Sequence, residues 1–96
     1  MLRSTLFALA LLAAPAAVAQ VPVELLAGGC QGCHGVAGQG ANGIPGLHHT
    51  RTRAEFTAMM QAFKANAVPN TVMGRIARGY TEAEVKLLAA HFGKPE

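Results

Sequence analysis

Only two cysteines occur in these 96 residues, Cys30 and Cys33. A structural zinc site wants four ligands, usually from two such pairs. No second pair exists, and His48, His49 and His91 keep no paired-ligand spacing to the first. Charge is scarce as well: Asp, Glu, Lys and Arg make up 14% of the chain, and the net charge is +3. That excludes the dense basic stripe a nucleic-acid partner would require. No segment demands a strand, which removes the βαβ setting of a thioredoxin-like Cys-x-x-Cys. Gly38-x-Gly40-x-x-Gly43 matches a dinucleotide fingerprint in form only, because no strand precedes it. No catalytic triad, flavin site or acid–base pair is set by spacing. A disulfide between Cys30 and Cys33 would close a strained small loop.

What the chain does have is Cys30-Gln31-Gly32-Cys33-His34, the Cys-x-x-Cys-His signature of c-type haem attachment. Two thiols at this spacing form thioethers with the two vinyl groups on one edge of a porphyrin. On a helix, positions i, i+3 and i+4 share a face, so Cys30, Cys33 and His34 address one ligand. His34 then supplies the proximal imidazole to iron. The expected cofactor is one covalent haem c.

Residues 1–19 read as a secretory signal peptide. Arg3 gives the positive start, Leu6 through Ala14 the apolar core, and Ala17-Val18-Ala19 the small-x-small cleavage pattern. The stretch is too short and alanine-rich for a membrane span, so none is expected after cleavage. Residues 20–96 then form one monohaem domain, and the expected location is the periplasm. A domain this small buries little apolar surface without a staple, and a haem supplies the missing core.

The expected fold is all-α, three main helices wrapped around one covalent haem. The first runs from Pro22 to about Cys33, with Val23, Leu26, Ala27 and Cys30 in one stripe. The second opens on the capping box Thr52-x-x-Glu55 and carries Phe56, Met59, Met60 and Phe63. The third opens on Thr81-x-x-Glu84, carries Val85, Leu88, Ala89 and Phe92, and stops at Gly93. Between the first two, Gly35 to Gly46 reads as a loop folded on the proximal face. There Ile44-Pro45-Gly46-Leu47 would bring a carbonyl to the free ring nitrogen of His34, with Pro45 and Leu47 packing on the ring.

Candidates for the sixth ligand are Met59, Met60, Met73, His48, His49 and His91. Met59 and Met60 sit on a regular stripe and read as core. His48 and His49 follow the proximal loop too closely to cross the ring. His91 is off its helix's stripe and reads as exposed. Met73 lies between Pro69 and Gly74 in a segment with no stripe, free to bring a thioether to iron. With both axial positions filled, the expected function is one-electron transfer, with no catalytic site in this chain.

The Cys30–His34 helix, Ile44-Pro45-Gly46-Leu47, Met73 and the terminal helix together resemble a class I cytochrome c. The stretch from Thr71 to Thr81, TVMGRIARGYT, is similar to the methionine loop of cytochrome subunits of flavocytochrome c sulfide dehydrogenase, in a single-haem form. The resemblance implies thioethers at Cys30 and Cys33, axial ligands His34 and Met73, and a separate FAD-bearing sulfide dehydrogenase subunit as partner. The alternative is a free carrier shuttling electrons among other redox proteins, to a terminal oxidase or reductase. Arg75 and Arg78 are candidates for the docking rim, or are merely solvated or paired with haem propionates.

Overall fold

A computed structural model describes residues 21–96; the expected signal peptide, 1–19, lies outside the described residues. Four helices follow in order: α1 (Val23–His34), α2 (Arg53–Lys64), α3 (Met73–Ala77) and α4 (Glu82–Phe92). Among the described residues there is no strand, only two isolated bridges, Ala41 with Ile44 and Thr52 with Lys94. No described helix is long and apolar enough to cross a membrane.

The stripes read from sequence are the faces that meet. Leu26, Ala27 and Cys30 of α1 are buried, as are Phe56 and Met60 of α2 and Val85, Leu88, Ala89 and Phe92 of α4. α4 packs on both α1 and α2, and α3 packs on α2. Phe56 and Phe92 stack with ring centroids 6.0 Å apart, a spacing that favours aromatic pairs.

The helix ends depart from expectation in three places. Pro22 is the N-cap of α1 rather than its first residue. Thr81 and Glu84 exchange both bonds of a capping box, at 3.1 and 2.8 Å, whereas at α2 only Thr52 acts, accepting from the Glu55 amide at 3.1 Å. Another free amide of that turn, at Ala54, donates instead to Glu96 Oε1 at 2.9 Å. Gly93 ends α4 in extended backbone, φ −72°, not in the left-handed conformation of a glycine stop. Its small size serves contact: a Cβ there would stand 2.8 Å from the Arg53 Cα, where the chain end crosses the start of α2.

The largest correction is α3. The segment around Met73, expected to be irregular, forms five residues of helix beginning at Met73 itself. Asn70 prepares it: its side chain donates to the Val68 carbonyl at 3.0 Å and accepts from the Gly74 amide at 2.9 Å.

Candidate functional site

An apolar cavity of about 400 Å³ opens between the end of α1, the following loop, α2 and α3. That is within the ordinary size range of cofactor pockets. Cys30, Cys33 and His34 line it from α1, Pro45 and Leu47 from the loop, Met59, Met60 and Phe63 from α2, and Met73 and Ile76 from α3. Cys30, Cys33, His34, Pro45, Leu47 and Met73, expected from the sequence to meet one cofactor, thus share one cavity.

The loop does this through its own backbone bonds. The Gly40 amide donates to the His34 carbonyl at 2.6 Å, and the Gly38 carbonyl accepts from Leu47 at 2.7 Å and His48 at 2.9 Å. Gly40 has φ +81°, and a Cβ there would stand 2.7 Å from both the Gly46 nitrogen and the Ile44 oxygen. Only glycine fits that turn. The fold-back brings the Pro45 carbonyl to 2.6 Å from His34 Nδ1, the contact expected from the sequence. With Nδ1–H donating to that carbonyl, Nε2 is the nitrogen left with a lone pair for a metal.

His34 is buried at 7% exposure and Cys30 equally so, while Cys33 is exposed. The two cysteines are free, not bridged. Burial pushes the Cys30 thiol above its ordinary pKa, so it is no thiolate nucleophile. Burial likewise raises the phenol of Tyr80, which lies beside that thiol. On the far side of α2, Gln61 and Lys64 hold the exposed Glu82 carboxyl below its usual range.

The methionines sort differently from the stripe reading. Met60 is core, at 5% exposure, but Met59 is only half-buried, on the cavity wall. Met73 is also half-buried and packs against the core. His48, His49 and His91 are exposed and lie away from this cavity. His48 and His49 stack on each other, with centroids 4.0 Å apart.

Sequence reasoning missed three contributors. Arg51 brings the cationic side chain to the cavity, whereas Arg75 and Arg78 are exposed and line no part of it. Its position follows from a long-range contact, the Lys94 amide donating to the Arg51 carbonyl at 2.8 Å, which no local pattern announces. Asn70 and Tyr80 are the others. Asn70 was legible in principle, since an Asn after Pro commonly bonds nearby backbone.

The chemistry of this donor set fits a covalent haem. Two thiols and an imidazole share one helix end, the imidazole has its tautomer fixed, and thioethers project from an otherwise apolar wall. Among the described residues no group of three or more His, Cys, Asp and Glu could hold a bare metal ion. No protein-family model matches the chain. It is 40% identical over 70 residues to the cytochrome subunit of sulfide dehydrogenase of Chlorobaculum tepidum, an alignment taking in 73% of this chain and 63% of that protein. The chain thus spans a little under two thirds of the length of this curated relative. With the all-helical fold, that similarity supports a cytochrome c resembling that subunit.

Proposed function

We propose that this chain is a periplasmic one-electron carrier with a single covalent haem c, serving as the cytochrome subunit of a sulfide dehydrogenase. The observation that carries it is the convergence of Cys30, Cys33, His34 and Met73 on one apolar cavity. Cys30 and Cys33 would hold the ring edge by thioethers, and His34 and Met73 would supply the side chains that ligate its iron. When bound, the haem supplies a reversible ferric–ferrous couple. The protein's part is to set that couple. The Pro45 carbonyl orients the imidazole, Leu47 and Phe63 exclude water, and a thioether ligand in an apolar wall favours the ferrous state. With both iron ligands supplied by this chain, no place would be left for a substrate, and oxidation of sulfide would fall to an FAD-bearing partner. The signal-like residues 1–19 support export to the periplasm.

Docking as a subunit, rather than shuttling, is favoured by the rim of the cavity. Ile44 and Val72 line it and are 39% and 53% exposed, an apolar surface of the kind found at interface centres. The test begins with haem retention: protein matured in an exporting host should keep its haem through acid–acetone extraction. Mixed with its candidate flavoprotein, it should co-elute at moderate salt, and sulfide should reduce the haem only when the flavoprotein is present. Freely extracted haem would sink the covalent assignment. Rapid oxidation by a terminal oxidase with no flavoprotein binding would move the reading to the free carrier.

A further inference from the structure

Tyr80 is the single tyrosine of the chain, and both its ends are tied. Its hydroxyl donates to the Leu26 carbonyl at 3.0 Å. Its carbonyl accepts from Lys64 Nζ, and the same ammonium reaches Glu82 Oε1 at 3.3 Å. One residue therefore joins α1, α2 and the turn that leaves α3. Gly29 admits it, because a Cβ at that position would collide with the Tyr80 hydroxyl. Leu26 lies one helical turn before Cys30, so the bond lands on the backbone rung that carries the first attachment cysteine. The near end of the Met73 segment is held by Asn70 within that segment. Its far end is held to α1 by this phenol.

We propose that Tyr80 is a positioning residue, clamping the segment of Met73 to the helix of Cys30. It thereby keeps the thioether side and the distal sulfur at a fixed spacing. The inference rests on the ligation by Met73 proposed above. Without the hydroxyl, the segment should swing away from iron more often, by about fivefold, the factor that one ordinary neutral hydrogen bond supplies.

The experiment uses the haem-loaded ferric protein and imidazole as probe. The limiting rate at high imidazole, followed by loss of the near-infrared sulfur-to-iron band, measures how often Met73 leaves. Tyr80→Phe should open about fivefold faster. Gly29→Ala should do the same without removing the phenol, because its methyl displaces the hydroxyl. The double variant should open no faster than Tyr80→Phe alone, since the ring without its oxygen fits beside alanine, a coupling that independent sites do not show. Val85→Ala, a core truncation, should lower the melting temperature yet leave the opening rate unchanged. Wild-type rates in both Tyr80→Phe and Gly29→Ala, or equal acceleration in Val85→Ala, would overturn the proposal. A wild-type protein with no sulfur-to-iron band removes the Met73 ligation and this inference with it. A normal band with unchanged rates removes the tyrosine's role alone.

Discussion

Three methionines line the same cavity, so at the scale of single residues the proposed ligation can be tested one sulfur at a time. Met60 is 5% exposed and packs within the core, where truncation leaves a hole. Met73 stands at the first position of α3, where its side chain is half-buried. Met73→Ala should therefore abolish the near-infrared band and admit carbon monoxide to the ferrous iron. Met60→Ala should keep the band and cost about 2–5 kcal/mol by denaturant unfolding. Loss of the band on changing Met60 or Met59 would reassign the ligand. That Cys30, Cys33 and His34 would face one cavity was legible because positions i, i+3 and i+4 share a helix face. Arg51 was not, because its place depends on the pairing of Arg51 with Lys94, residues 43 positions apart. A sequence shows periodicity within a segment, but not which distant segment will lie across it.

Helices divide by how their ends are satisfied. At α4 both bonds of the Thr81–Glu84 box are made, while at α2 Thr52 alone accepts and Glu55 does not return the bond. The same four-residue pattern thus gives two outcomes, and the difference is tertiary. Glu96 reaches the Ala54 amide from the other end of the sequence. Thr81→Ala should cost about 1–2 kcal/mol, and Thr52→Ala about half as much, measured by urea unfolding of the haem-loaded protein. Equal losses would mean the returning Glu84 bond adds nothing. The stripes of α1, α2 and α4 were readable because two or more turns repeat the period. Five residues of α3 cannot repeat it, and Met73-Gly74-Arg75 reads as loop by any local rule.

For the molecule as a whole, the cavity decides stability. Its lining is largely apolar and opens to solvent; each large apolar side chain left to water forgoes about 1.5–3 kcal/mol, so a few of them match the stability of an ordinary domain. A Cys30→Ala/Cys33→Ala chain prepared without haem should lose near-ultraviolet circular dichroism and bind a hydrophobic dye, while keeping part of its helical far-ultraviolet signal. A cooperative, dye-free thermal transition in that protein would show that the helices fold without the cofactor. The all-α class was legible from sequence since no segment alternated.

The segment between α1 and α2 has the composition of a permissive linker, yet it has little room for mutation. Surface loops ordinarily accept exchanges and insertions that the elements around them do not. Here the order is reversed at Gly40, where even a methyl would press on the backbone of Ile44 and Gly46. That push falls on the carbonyl that holds the His34 ring. A library randomised over residues 35–47 and sorted for bound haem should therefore return glycine at position 40. The neighbouring Val36, at 81% exposure, would accept nearly anything. Drift in this protein is channelled to the outer side of the loop, and the inner side is as closed to change as any core position.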